Sequence, residues 1–211
     1  MHELFDAYGI DDIDNYFLRI KQITEILKEP KILNRRTIQM SINEKDRTVF
    51  VVYGRNIKIK NSVFQFLRAL NIKPLEWETA ARLTGKGTPS TIEIINAGMK
   101  NASGIIVIFT GDDKAILNKD YRKNSQENHY KMQPRPNVLV EAGMALALFP
   151  NSTVIIKIGD IREISDLSGI NYIELSNDAS ARQRFVSRLS TTGLKLDTSG
   201  TDWLNAGDFS I

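Results

Sequence analysis

From Thr48 onward, short apolar runs alternate with stretches of helical periodicity, and this alternation restricts the folds open to the chain. The apolar runs predict five buried strands, at Val49–Tyr53, Ile72–Trp77, Gly104–Phe109, Val154–Ile158 and Tyr172–Leu175. The periodic stretches predict helices around Val63–Leu70, from about Pro89, after Pro136 and over residues 180–191. Strands that alternate with crossover helices form a parallel sheet covered on both faces. We therefore expect an α/β, flavodoxin-like domain whose five-stranded parallel sheet has the order 2-1-3-4-5.

The residues before this pattern form a separate region. Between positions 11 and 29, apolar residues recur on one helical face, and Pro30 stops the helix. Residues 31–46 are polar and basic, as a connection would be. We divide the chain into an N-terminal helical extension, residues 1–46, and a main domain, residues 47–211. The extension is expected to cover the main core, and the alternative is a partner or regulatory helix.

Composition narrows the class of function. A net charge of only +3 gives little support for nucleic-acid binding. The chain has no cysteine, which excludes disulfides and thiol nucleophiles, and its two histidines are far apart, which argues against a metal site. The first residues lack the features of a signal peptide, and no apolar run is long enough to span a bilayer. We expect a cytoplasmic protein that binds neither nucleic acid nor membrane and needs no metal or cofactor.

The predicted topology places a ligand crevice at the carboxyl ends of the strands, near the switch point between strands 1 and 3. The residues that follow those strands are Tyr53, Gly54, Arg55, Trp77, Lys86, Thr88, Thr110 and Asp112. Gly54 would let the backbone approach a ligand, and Arg55 would hold a phosphate, although it is also compatible with a surface arginine. Thr88 would cap the next helix and leave Lys86 able to meet an anion, unless the loop is simply mobile before an ordinary helix start.

A single carboxylate, Glu141, lies in an otherwise apolar helix that begins after Pro136, where Asn137 can cap or open it. A glutamate in a buried helix either lowers stability or has a function. Two structural roles are the alternatives, namely compensation of the positive helix N-terminus and pairing with Arg135. The preceding segment, Gly111–Pro136, shows no apolar periodicity, and loops of that length are functional lids or disordered.

Several segments of the main domain resemble the bacterial TIR-like predicted nucleotide-binding family, which includes the TIR domains of CBASS and Pycsar anti-phage effectors. The resemblance covers about residues 47–210 and is carried by Val49–Asn56, Phe66–Leu70, Arg135–Gly143, Ile164–Ile170 and Asp202–Phe209. It implies a TIR-like nucleotide-binding domain that cleaves the nicotinamide–ribose bond of NAD, with Glu141 as the catalytic glutamate. It further implies a cyclic-nucleotide activator or sensor partner and a homo-oligomer in the active state.

The chemistry of NAD cleavage agrees with a single carboxylate. Nicotinamide leaves as a neutral base, so no general acid is required, and one carboxylate that stabilises the oxocarbenium-like transition state suffices. Under this hypothesis Arg55, Lys86 and the helix start near Thr88 hold the diphosphate. Trp77 or Tyr53 stacks on a ring, with a core position as the alternative for Trp77. Thr110, Asp112 and Asn137 complete the substrate site.

Two other classes of protein remain open. A nucleoside deoxyribosyltransferase-like enzyme has a similar sheet and a comparable glutamate. A non-catalytic TIR module would self-associate through the loop from Glu78 to Ser90, which is expected to be mobile in the monomer because it has few apolar anchors. A phospho-receiver domain shares the strand order but is disfavoured, because it needs an acidic pair after strand 1, where Gly54, Arg55 and Asn56 stand.

Overall fold

The computed structural model of the protein describes residues 45–167 and 169–211. The predicted N-terminal helical extension, residues 1–46, lies outside this part of the chain except for Lys45 and Asp46. Its helix and its boundary with the main domain therefore remain predictions.

The main domain is a parallel sheet with helices on both faces. The strands are β1 (Thr48–Val52), β2 (Lys73–Pro74), β3 (Gly104–Phe109), β4 (Asp113–Ala115), β5 (Lys131–Gln133), β6 (Thr153–Lys157) and β7 (Ile173–Glu174). The helices are α1 (Ile57–Ala69), α2 (Trp77–Leu83), α3 (Thr91–Lys100), α4 (Pro136–Leu148) and α5 (Ala179–Ser190). Five strands pair in parallel in the order β2-β1-β3-β6-β7. The predicted flavodoxin-like, TIR-like fold and its strand order are confirmed.

The central strands are buried along their whole length, because helices cover both faces of the sheet. Every residue of β1 and of β3 is buried. Val49 and Val51 face the core that α1 and α5 complete, whereas Phe50 and Val52 face the core that α2, α3 and α4 complete. The sheet therefore has two apolar layers, and the Glu141 helix belongs to the second.

The region after β1 and α1 differs from its prediction. The second strand was expected at Ile72–Trp77 but is only Lys73–Pro74, and Trp77 begins helix α2. Proline has no N–H to continue the ladder. The expectation of a mobile loop over Glu78–Ser90 is wrong for its first half, because Ala80 and Leu83 are buried and anchor α2 in the core.

Helix α3 begins later than predicted. Its N-cap is Ser90, not Thr88, and the Ser90 and Glu93 side chains each bond the other's backbone N–H. This is a capping box, which satisfies two backbone donors that the first helical turn leaves free.

The segment after β3 is not irregular throughout. β4 and β5 form a two-stranded antiparallel hairpin in which Lys114 is opposite Met132. We call residues 113–133 the hairpin arm. Strands of three residues are too short to show a periodic pattern, which is why the sequence predicted a lid or a disordered loop here.

The last part of the chain is held by a buried arginine on α5. Arg182 is 2% exposed and donates hydrogen bonds to the backbone carbonyls of Trp203, Ala206 and Gly207. Its guanidinium carbon lies 4.6 Å from the centroid of the Phe209 ring. Residues 203–209 are thus packed on the first apolar layer of the domain.

Candidate functional site

Glu141 occupies a half-buried position on α4, at the edge of the second apolar layer. Its neighbours Val138 and Ala142 are buried against the sheet, whereas Val140 is 63% exposed. Within residues 45–167 and 169–211, the Glu141 carboxylate has neither a hydrogen-bond partner nor an ion-pair partner. Burial alone raises the pKa of Glu141 from its ordinary value of 4.5 to about 7.

The two structural roles considered for Glu141 are wrong. The Nε atom of Arg135 lies 4.0 Å from Oδ1 of Asp113 at the base of the hairpin arm, so Asp113 rather than Glu141 is its charged neighbour. Glu141 also lies beyond the first turn of α4, which contains no acidic residue. Because the effect of the helix dipole is confined to that turn, Glu141 does not compensate it.

Tyr53, at the end of β1, lies within electrostatic reach of Glu141. Burial, then the charge of Glu76 and then that of Glu141 raise the pKa of the Tyr53 phenol. Its ring and the ring of Phe64 pack edge to face, with the ring centroids 6.3 Å apart, and 37% of Tyr53 remains exposed. The charges of Glu76, just before α2, and of Glu141 on α4 therefore both act on the phenol at the end of β1.

Gly54 and Asp112 meet directly at the switch point. A Cβ added at Gly54 would lie 1.6 Å from Oδ2 of Asp112. The space above Gly54 is therefore filled by the Asp112 carboxylate and is not open to a ligand, contrary to the prediction. Thr110 is 2% exposed, and its hydroxyl donates to Oδ1 of Asp112 at 2.8 Å.

Arg55 is exposed beside this contact, and its backbone and side chain have different environments. The backbone N–H donates to Oδ2 of Asp112 at 2.6 Å. The guanidinium makes no hydrogen bond or ion pair in the described part of the chain. Asn56 accepts a hydrogen bond from the N–H of Ile59 at 3.1 Å and caps α1, which fixes the chain just after Arg55. The Arg55 side chain is thus available for an anion.

The other predicted site residues lie elsewhere around the edge of the sheet. Lys86 forms an ion pair with Glu93, and no bond or ion pair in the described residues joins Lys86 or Thr88 to Glu141 or Arg55. Trp77 is 43% exposed, so it is not a core residue. Asn137 is exposed and does not cap α4, because Arg135 occupies the N-cap position.

Two acidic residues near this edge were not identified from the sequence. Glu76 acts on Tyr53 through space, and no local pattern predicts such a contact. Glu93 binds Lys86, and the spacing Ser90-Thr91-Ile92-Glu93 is a capping-box signature that identifies its cap role in advance. Within the described residues, no group of three or more metal-ligating side chains is placed to hold a metal ion.

A cavity of about 210 Å³ lies beside the ends of β3 and β6, beneath the segment from Ile161 to Tyr172. Its described lining combines apolar and aromatic side chains, such as Phe109 and Tyr172, with the charged Lys157, Arg162 and Glu163. Neither Tyr53 nor Glu141 lines this cavity.

Comparison with known proteins identifies residues 48–177 as a match to the family described as CAP12/Pycsar effector protein, TIR domain. A curated relative from Escherichia coli (strain K12), Uncharacterized protein YuaY, is 27% identical over 154 residues. The alignment covers 72% of this chain and 47% of the relative, so the chain spans about half the length of that protein. In the residues that the structure describes, no helix is both long and apolar enough to cross a membrane.

The burial of Glu141 predicts a pH-dependent effect of Glu141→Gln on stability. In the wild type, burial opposes ionisation only in the folded state, so the contribution of Glu141 to stability is complete below pH 4.5 and is lost as pH rises through about 7. Glutamine carries no charge at any pH. Glu141→Gln should therefore raise the melting temperature at pH 8 and change it little at pH 4, as measured by thermal unfolding.

Glu163→Gln is the matched control, because Glu163 is exposed between β6 and β7 and has no hydrogen bond or ion pair among the described residues, and its melting difference should not change between these pH values. Equal melting differences for Glu141→Gln at pH 4 and pH 8 would show that burial does not oppose the ionisation of Glu141.

Proposed function

The chain belongs to the TIR domain family of CAP12/Pycsar effector proteins, and from that premise we propose that it is an NAD glycohydrolase that acts as an effector in bacterial anti-phage defence. The observation that carries this proposal is Glu141, a half-buried carboxylate without a hydrogen-bond or ion-pair partner in the described part of the chain. Strongly shifted carboxyl groups at the edge of a parallel sheet are typical of sites that perform chemistry.

The reaction requires one well-placed negative charge. The bond between C1′ of the ribose and the pyridinium nitrogen breaks, and its electron pair leaves with neutral nicotinamide. Positive charge then develops on the ribose, where ionised Glu141 stabilises it, and a water molecule adds to C1′ and releases a proton. Because the substrate itself carries a pyridinium charge, its arrival favours the ionised form of Glu141.

Tyr53 and Arg55 supply substrate contacts in this proposal. Tyr53 is partly exposed and within electrostatic reach of Glu141, and in this proposal its ring packs against the ribose or the base. The guanidinium of Arg55 is exposed, has no partner among residues 45–167 and 169–211, and matches the geometry of a phosphate. Trp77 is a second exposed aromatic surface for stacking. Lys86 is a weaker candidate for the diphosphate, because Glu93 already binds it.

A second candidate function, a self-associating TIR module, is favoured by exposed apolar side chains on α2 and α4. Trp77 is 43% exposed and Val140 is 63% exposed. Side chains of this size on the surface are common at protein–protein contacts. We propose that the active form is a homo-oligomer and that a cyclic nucleotide or a sensor partner promotes its assembly, so the two functions are combined in one protein.

The catalytic proposal predicts that Glu141→Gln abolishes NAD cleavage and leaves the fold intact. The substitution keeps the shape of the side chain and removes its charge, so kcat should fall by roughly 100-fold or more. Nicotinamide and ADP-ribose are measured by chromatography, with and without candidate cyclic nucleotides. In the wild type, kcat/KM should rise with pH through about 7 as Glu141 ionises.

Glu163→Gln is again the control and should cleave NAD at the wild-type rate. Near wild-type turnover in a folded Glu141→Gln variant contradicts the role of Glu141. Wild-type protein that cleaves no NAD under any of these conditions contradicts the enzyme and leaves the self-associating module. Transfer of the sugar to an added free purine would instead indicate a deoxyribosyltransferase-like enzyme.

Arg55 and Arg47 form a matched pair at opposite ends of β1, and both are exposed. Arg55→Ala should raise the KM for NAD by about 10-fold or more, because charge-assisted hydrogen bonds to phosphate are among the stronger polar contacts. Arg47→Ala should leave the KM unchanged, because the amino end of β1 is remote from the crevice. Steady-state kinetics measure both, and equal KM values for the two variants would remove Arg55 from the site.

The proposed assembly predicts that specific activity rises with protein concentration. If neighbouring subunits complete the site, the dilute protein has incomplete sites and binds substrate poorly. Light scattering and turnover are measured over the same dilution series, and Glu141→Gln should assemble like the wild type without cleaving NAD. Constant specific activity in a protein that remains monomeric throughout the series is the outcome that contradicts this mechanism.

A further inference from the structure

The carboxylate of Asp112 joins the ends of the two strands that flank the switch point. Oδ2 accepts the backbone N–H of Arg55 at 2.6 Å, and Oδ1 accepts the hydroxyl of Thr110 at 2.8 Å. Val52 pairs with Val107, so Arg55 and Thr110 lie equally far beyond the last paired residues of β1 and β3. The strands thus continue their association through one side chain after their ladder ends. We call this contact the Asp112 bridge.

The Asp112 bridge requires a residue without a side chain at position 54. A Cβ at Gly54 would lie 1.6 Å from Oδ2 and 2.8 Å from Cγ of Asp112, which is closer than atoms can approach. Gly54 does not have a positive φ, unlike Gly85 or Gly207, so its conformation does not require glycine. Glycine is needed here because the carboxylate fills the space that a side chain would occupy.

The bridge lies next to two of the groups that the proposed function uses, Tyr53 and Arg55. Tyr53, whose phenol responds to the charge of Glu141, directly precedes Gly54, and Arg55 directly follows it. Asn56 then caps α1. The turn from Tyr53 to Asn56 is therefore fixed at its end by the helix cap and at its centre by Asp112.

Both oxygens of the Asp112 carboxylate are directed at the protein itself. One bonds a backbone N–H and the other bonds a hydroxyl that is 2% exposed. A carboxylate whose task was to bind ribose hydroxyls would direct its oxygens into the crevice. We infer that Asp112 is a positioning residue, which fixes the Tyr53–Asn56 turn and so holds Tyr53 and Arg55 in the orientation that the substrate needs. The catalytic part of this inference rests on the proposed function.

The conservative variant Asp112→Asn distinguishes two roles for Asp112, namely positioning of the turn and a charge-dependent contact with the substrate. Its carboxamide keeps the shape of the side chain, its oxygen can accept the Arg55 N–H, and its amide can donate to the Thr110 hydroxyl oxygen. For a positioning residue, Asp112→Ala should lower kcat/KM for NAD at least about 10-fold, whereas Asp112→Asn should stay within about 3-fold of the wild type. Asp120→Ala, on the exposed surface of the hairpin arm, is the control and should have no effect.

A double-mutant cycle tests the bridge without any activity measurement. Gly54→Ala and Asp112→Ala are each expected to lower the free energy of unfolding, which is measured by urea denaturation. In the double variant the added methyl group occupies the space that the carboxylate has left, so the loss should be no larger than that of Asp112→Ala alone. Residues in direct contact show such non-additivity, whereas independent sites do not.

The outcomes distinguish this inference from the proposed function. An activity as low for Asp112→Asn as for Asp112→Ala, in folded variants, overturns positioning in favour of a charge-dependent substrate contact. Strictly additive losses in the cycle overturn the contact between Gly54 and Asp112. If the wild type cleaves no NAD, the proposed function and the catalytic part of the inference both fail, and non-additive losses would still support the bridge.

Discussion

The pairing of β1 with β3 is the interaction on which the rest of the domain depends. The register from Val49 opposite Gly104 to Val52 opposite Val107 brings the carboxyl ends of both strands to one edge of the sheet. Because both strands are buried on both faces, a shift by one residue would exchange the two apolar layers, and the register is therefore strongly specified. The same pairing brings the Asp112 side chain against Gly54, and Tyr53 at the end of β1 lies within electrostatic reach of Glu141 on α4.

Glu141 illustrates how a proposed site residue conflicts with the stability of the helix that carries it. Helix α4 packs through Val138, Ala142 and Ala145, and an apolar residue at position 141 would suit that environment better. The carboxylate is instead kept without a charged partner in the described residues, and burial moves its pKa toward neutrality. Burial and the missing partner weaken the fold, but the same two conditions would let the group respond strongly to a cationic substrate.

Much of the fold could be predicted from the sequence because the central strands are continuous apolar runs. β3 was predicted with its observed bounds, and β1 and β6 within one residue at each end. β2 could not be predicted in the same way, because it contains two residues and ends at a proline. The hairpin arm escaped detection because its strands have three residues each, and its pairing depends on contacts between positions far apart in sequence.

The candidate site was predictable by location rather than by contact. Topology indicated that Tyr53, Gly54, Arg55, Thr110 and Asp112 follow strands at one edge, and the structure places them there. The sequence could not indicate that Asp112 occupies the space above Gly54, because the two residues are 58 positions apart. Lys86 was predicted to meet an anion, but in the structure it pairs with Glu93. The Ser90–Glu93 capping box, which holds Glu93 at the start of α3, is a local signal in the sequence.

The buried Arg182 has a consequence for where this folding unit ends. The segment by which the family is recognised stops at residue 177, yet the carbonyls that Arg182 binds belong to Trp203, Ala206 and Gly207. Phe66 of α1 packs on Phe185 and Phe209, which both lie beyond that segment. A fragment trimmed to residues 48–177 would expose this aromatic face to water and would be expected to aggregate. The unit that folds is thus longer than the unit that is recognised.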